Sequence, residues 1–289
     1  MPTLAHAWRD WFLRFARNRL AVLGASIVVV MLLLAVLAPY LALHDPNEMS
    51  IAERLAPLSA EHPFGTDQFG RDIYSRVVYG TRISLAIGIL AVTLGLAVGV
   101  PLGAVSGYFG RGLDNAIMRL MDAIMAFPGL LLALALVVAW GPSVSSLSLA
   151  LGVRYTPTFA RLIRASVLEE REKEYVEAAK VQGESNFRVL CYQIFPNCLS
   201  PLIVQITLDL AHAIIAESSL SFLGLGVAPP TSTWGSMLDD ARTYMMIHPS
   251  GAVFPGLAIS LAVLGFNFLG DGLRDVLDPR LAEEGSSHV

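Results

Sequence analysis

The chain has 289 residues, of which 54% are hydrophobic and only 15% charged, with a mean hydropathy of +0.58. A soluble domain carries about 25% charged residues, so the composition excludes an ordinary water-soluble enzyme or binding module. The net charge of −4 selects no class of partner, because the placement of charge along such a chain is more informative than its sum.

Residues 4–19, LAHAWRDWFLRFARNR, set Trp8, Trp11, Phe12 and Phe15 at helical spacing among Arg9, Arg14, Arg17 and Arg19. That pattern predicts an amphipathic helix within 1–19, with its aromatic face in the headgroup region and its arginines toward anionic lipid. Residues 20–43 are uncharged. About 20 apolar residues cross a bilayer as a helix, and the run is too long for the core of a cleavable signal. A polar loop follows at 44–82, then span 2 at 83–108 and span 3 at 122–140.

The uncharged block 123–153 is broken by WGPS at 140–143. It supplies about 46 Å of helix at 1.5 Å per residue, whereas two spans need about 60 Å. Span 4 must therefore continue to about residue 162 and carry Arg154 to membrane depth, or the segment is re-entrant. Spans 5 and 6 follow at 198–221 and 251–270, and a polar tail at 271–289. The expected fold class is an all-α polytopic membrane protein with six transmembrane helices.

Most of the 20 lysines and arginines fall in the N-terminal segment, in 111–119, in 161–188 and in the tail. Arg54, Arg71, Arg76, Arg82 and Arg242 lie on the other side. The positive-inside rule then puts both termini in the cytoplasm. Joining spans 3 and 4 would move the basic 161–188 loop outside, so the split is preferred.

The cytoplasmic loop 166–197 is the unusual element. Glu169 and Lys173 form an i,i+4 pair supporting a helix over about 166–182. Ala178 and Ala179 offer a small face, and Gly183 a turn free of side-chain strain. Asn186 is an N-cap candidate for a second short helix ending at Pro196. The prediction is a helix–turn–helix knuckle, longer than an ordinary connection.

Glu177-Ala178-Ala179, then Gly183, then Pro196-Asn197 resembles the EAA loop of ATP-binding-cassette importer membrane subunits. HPFGTDQFGRDIYSRVVYGTRISL (62–85), SSLSFLGLGVAPPTSTWGSML (218–238) and FNFLGDGLRDVLDPR (266–280) resemble the dipeptide, oligopeptide and nickel permeases, specifically the C-type member of the permease pair. The resemblance implies a type I importer permease fold with its core at 83–270 and a coupling helix between spans 4 and 5. It also implies a complex with a homologous second permease, two cytoplasmic ATPase subunits and an extracytoplasmic solute-binding protein, in a bacterial or archaeal inner membrane. ATP and Mg would be held by the ATPases, with no cofactor in this chain. Glu177, Ala178, Ala179, Gly183, Gln193, Pro196 and Asn197 would then serve ATPase coupling. Gln193 stands where this subfamily usually has His; it can hydrogen-bond but cannot carry a proton charge. Di- or oligopeptides are the expected cargo, with nickel or another metal chelate, glutathione and cationic peptides as alternatives.

Ionisable groups within spans are costly and usually face the bundle interior or a watery cavity. Arg154 in span 4 and Asp209, His212 and Glu217 in span 5 are therefore candidates for the translocation pathway. Helical geometry puts Asp209 and His212 on one face and Glu217 roughly 140° round. Arg154 suits a peptide carboxylate or a pairing with Asp209. The acidic loop 44–82 is a candidate landing surface for a binding protein. Cys191 and Cys198 read as free thiols. A secondary transporter would usually show internal repeats or broken helices; this sequence shows no repeat, and such a transporter would leave the knuckle unexplained. GxxxxGK[ST], HExxH and CxxC are missing, and His6, His44, His62, His212, His248 and His288 form no ligand cluster in the sequence, so neither a catalytic nor a metal site is expected.

Overall fold

Backbone amides in lipid have no water to bond, so apolar segments must satisfy them internally. In the computed structural model, which describes residues 15–277, every long apolar segment is a helix and the only strand-like feature among the described residues is a bridge between Thr66 and Asp72. The amphipathic helix expected within 1–19 lies outside the described residues except at its end, as does the tail from 278.

In chain order the helices are α1 (Arg19–Leu41), α2 (Ile73–Phe109), α3 (Arg111–Met125), α4 (Gly129–Trp140), α5 (Val144–Glu170), α6 (Glu174–Val181), α7 (Asn186–Leu225), α8 (Trp234–Ala241) and α9 (Ser250–Leu277). Four of them, α1, α2, α7 and α9, are long and apolar enough to cross a membrane. The pair α3 and α4, bent by 84°, is a fifth if taken as one broken span. Helix α5 has 27 residues, about 40 Å, but Arg154, Arg161 and Arg164 keep it out of the apolar class.

Spans 2 and 3 differ from the sequence expectation. Span 2 begins ten residues early, at Ile73, because the Asp72 carboxylate accepts the Ser75 N–H at 2.8 Å and caps the helix. At 37 residues, α2 is about 55 Å long and overshoots a hydrocarbon core of about 30 Å. Span 3 is not straight: Pro128 starts a new helix after the bend.

Helices α2 and α5 form the most extensive contact of the bundle, along a stripe of glycines one turn apart. A Cβ on Gly99 would lie 2.5 Å from the Thr156 carbonyl oxygen and one on Gly107 2.8 Å from that of Arg164, while Gly103 abuts the backbone of Ala160. Small residues at i, i+4 let helix backbones approach closely where lipid provides no hydrophobic drive for association. Gly24 and Gly272 play the same part between α1 and α9, against Leu269 and Ala21. Two apolar clusters surround these contacts. One runs through α2, α5, α6 and α7 (Ile87, Leu151, Phe159, Val167, Val176, Ile194), the other through α1, α2, α7, α8 and α9 (Val28, Ile73, Trp234, Phe266).

Gly103→Leu should lower the thermal midpoint of the purified chain in detergent, consistent with an overpacking cost of about 1–3 kcal/mol or more. Gly112→Ala, where an added Cβ meets nothing within 4 Å, should leave it within experimental error.

Candidate functional site

The knuckle is built by stopping α5 early. Helix α5 ends at Glu170, and residues 171–173 turn the chain before α6 begins at Glu174. The continuous helix expected over 166–182 is therefore two helices. Lys173, beyond the end of α5, pairs with Glu170 rather than Glu169. Gly183 takes φ +82°, donates to the Lys180 carbonyl at 3.0 Å, and is followed by Glu184 N–H donating to Ala179 at 3.2 Å. This left-handed stop is one that glycine adopts without steric cost. The second helix is capped by Ser185, not Asn186, through its hydroxyl at 3.4 Å from Arg188 N. Nor does it end at Pro196: a π-helical stretch (Val189–Ile194) and a 3-10 turn (Phe195–Cys198) carry the chain on into the rest of α7. Pro196 sits at the start of that turn, where its missing N–H breaks little.

The inner side of the knuckle is fastened to the bundle. Tyr175 donates its hydroxyl to Glu170 Oε2 at 2.5 Å, and Asn197 Nδ2 donates to Tyr175 Oη at 3.0 Å and to the Gln193 carbonyl at 2.9 Å. Burial, and then the Glu170 hydrogen bond, push the Tyr175 hydroxyl up to about 12 from 10.0. Arg171 Nη1 donates to the Gly107 carbonyl at 2.8 Å, and Tyr108 donates to Asn186 Oδ1 at 3.0 Å, tying the knuckle to the end of α2. Val176 and Ala179 are buried in the shared core, whereas Glu177 and Ala178 are exposed. The two alanines thus do not share a face: Ala179 is packing, Ala178 is surface. The outer side carries apolar side chains, with Val181 88%, Phe187 73% and Tyr192 71% exposed. The sequence reading passed over these three because it tracked the small residues; an apolar residue on each side of a Gly turn was the available signal.

The interior candidates separate. Arg154 lies against Gly129 at the start of α4, where an added Cβ would sit 2.6 Å from Nε, and its guanidinium is 5.3 Å from the Tyr155 ring centre. No ion pair joins Arg154 to Asp209 among the described residues. Asp209 is buried, its Oδ2 without a hydrogen-bond partner, and Oδ1 is 3.9 Å from Nδ1 of the exposed His212. Glu217 is fully buried among hydroxyls, with Ser221 Oγ at 2.8 Å and Ser218 Oγ at 3.4 Å. It braces α7 against α2 and α8, whose Trp234 N–H donates to Ser84 Oγ at 3.2 Å.

This arrangement has close counterparts among known proteins. Residues 99–283 match the family of binding-protein-dependent transport system inner membrane components, and residues 7–57 match the N-terminal membrane domain of oligopeptide transport permease C. The chain belongs to this permease family. A dipeptide transport system permease of Alkalihalophilus pseudofirmus is 45% identical over 96% of this chain and 92% of its own length. A glutathione transport system permease of Pectobacterium atrosepticum is 43% identical over 95% and 91%. Among solved structures, an inward-facing methionine ABC transporter shares the fold, with a TM-score of 0.60 at 16% identity over 71% of this chain and 98% of that one. The chain is accordingly the membrane-spanning permease subunit of an ABC importer.

At the end of the permease opposite the knuckle, the loop before α2 is a folded cap that still presents part of its acidic surface. Arg71 bonds Asp67 at 2.6 Å and Asp240 at 2.8 Å, Arg76 Nη1 donates to the Pro46 carbonyl at 3.2 Å, and Asp67, Arg71, Asp72 and Arg76 are all buried. Asp45, Glu48, Glu53 and Glu61 remain exposed. The histidines are not unclustered: His44 and His62, 18 positions apart, lie with ring centres 4.7 Å apart and planes tilted by 34°, and share a site with Asp72. Loop closure brings them together, which spacing along the chain does not reveal.

Tyr175→Phe should destabilise the permease by about 1 kcal/mol, the value of a partly exposed hydrogen bond to a charged group. Because the folded hydroxyl titrates above its unfolded value, this advantage over the variant is constant below pH 10 and is lost as pH rises toward 12. A difference titration of tyrosinate absorbance, native minus variant, should give a midpoint near 12.

Proposed function

We propose that the 174–197 knuckle is the coupling helix through which two cytoplasmic ATPase subunits drive this permease to import small peptides delivered by an extracytoplasmic binding protein. The observation that carries this reading is the exposed apolar tip of Val181, Phe187 and Tyr192 beside Glu177 and Ala178, on a segment whose other side is fastened to α2, α5 and α7. Apolar side chains on a polar cytoplasmic projection suit burial in a partner's groove. Ala178 permits close approach, whereas Ala179, Gly183, Gln193, Pro196 and Asn197 hold the shape of the knuckle.

In this reading six segments cross the membrane, with α5 and the bent α3–α4 pair completing the set, and both termini are cytoplasmic. ATP and Mg are bound by the ATPases and this subunit is not catalytic. A homologous second permease completes the pathway. Peptide cargo is supported by relatives named for dipeptide and for glutathione transport, whose common chemistry is a short peptide with free carboxylates. Arg154 supplies a cation for such a carboxylate, and Asp209 and His212 line the same passage. Glu217, enclosed by hydroxyls, is structural.

The test is uptake and ATPase activity of the complex reconstituted in lipid, with dipeptide- or glutathione-loaded binding protein. Ala178→Trp and Val181→Glu, both at exposed positions, should leave the subunit inserted and assembled with its partner permease. Each should lower uptake at least about tenfold and abolish stimulation of ATP hydrolysis by loaded binding protein. Native uptake in both variants would overturn the docking role.

A further inference from the structure

At the opposite end of the permease, the loop before α2 gathers an imidazole and several carboxylates at one point. The His62 side chain is 9% exposed, and its Nδ1 lies 3.0 Å from Asp72 Oδ1. The other Asp72 oxygen is engaged in capping α2, so this carboxylate is fixed and fully buried. A carboxylate acceptor at Nδ1 holds the proton of a neutral imidazole there and leaves the lone pair on Nε2. That Nε2 is buried without a hydrogen-bond partner and points toward Glu53, whose Oε2 is 3.7 Å away. One ligand atom each from Glu53, Glu61 and His62 lie within 4.8 Å of one another. His44 closes the wall: its Nε2 bonds the Glu61 carbonyl at 3.1 Å and its tilted ring lies against His62.

A buried imidazole lone pair facing carboxylates has no donor to satisfy it, which costs free energy unless a cation supplies the partner. We propose that Glu53, Glu61 and His62 form a binding site for a first-row divalent cation of the zinc class, with Asp72 orienting the imidazole. A ligating histidine that donates its second N–H to a carboxylate is the usual arrangement in metal sites. The mixed nitrogen and oxygen donors suit zinc or nickel rather than calcium or magnesium, which prefer all-oxygen shells. Glu53 and Glu61 are exposed, so water completes the coordination. The bound ion cross-links the 3-10 turn Ile51–Glu53 to the N-cap of α2. This site stands apart from the coupling reading and does not depend on it.

The experiment is calorimetric titration of zinc into the full chain in lipid nanodiscs after chelator treatment, with X-ray absorption on the loaded protein. One equivalent should bind, with a single imidazole among oxygen ligands. The double variant Glu53→Gln/Glu61→Gln, at exposed positions that keep the loop folded, should weaken this binding by at least about tenfold, as should His62→Gln. No stoichiometric binding by the native chain, unchanged affinity in the double variant, or a ligand set with thiolate or two imidazoles would overturn the site.

Discussion

The structure depends on the backbone-to-backbone contact of α2 and α5. Gly95, Gly99, Gly103 and Gly107 leave a stripe of α2 without side chains, and the carbonyl groups of Gly152, Thr156, Ala160 and Arg164 lie against it. In lipid there is no hydrophobic penalty to hold helices together, so packing at this separation supplies much of the association. Because α5 runs directly into the knuckle and α2 ends beside it, the stripe turns two helices into one stiff unit with the knuckle at its tip.

That stiffness gives the knuckle its mechanical sense. Glu170, Tyr175 and Asn197 join the end of α5, the start of α6 and the 3-10 turn within α7 by hydrogen bonds, and Arg171 and Tyr108 add the end of α2. In the docking role proposed above, a force applied at Val181 or Phe187 would reach three long helices at once, because these joints tie the knuckle to α2, α5 and α7. At the other end the buried Asp67, Arg71 and Arg76, with the half-buried Asp240, clamp the start of α2 against α8. Buried charges of this kind are tolerated because each is paired, and breaking one partner is costly. The bundle is thus fastened at both ends by polar contacts and along its length by glycine packing.

The helical class, the long apolar segments and the presence of a polar knuckle followed from the sequence alone, because hydropathy, helical periodicity and a Gly turn are properties of neighbouring residues. The EAA, GTDQFGRD and PN segments likewise stand in unbroken runs, and they identify the family. Helix ends were less legible: Asp72 caps α2 ten residues before the apolar run begins, Ser185 caps beside Asn186, an equally good N-cap, and Pro196 reads as a stop although the chain passes through it in a 3-10 turn.

What only the tertiary structure decided was which way side chains face and which distant ones meet. Ala178 and Ala179 are adjacent, yet a 100° step around a helix puts one on the surface and the other in the core. Asp209 and Glu217 look alike as span 5 carboxylates, but one has an unpartnered oxygen and the other sits among hydroxyls of its own helix and its neighbours. His44 and His62 carry no local signal of each other. The fold of the intervening loop brings them together and turns an orphaned imidazole nitrogen toward two carboxylates. Local pattern fixes what a segment is; contacts across tens of residues, set by closure of the chain, fix what its side chains do.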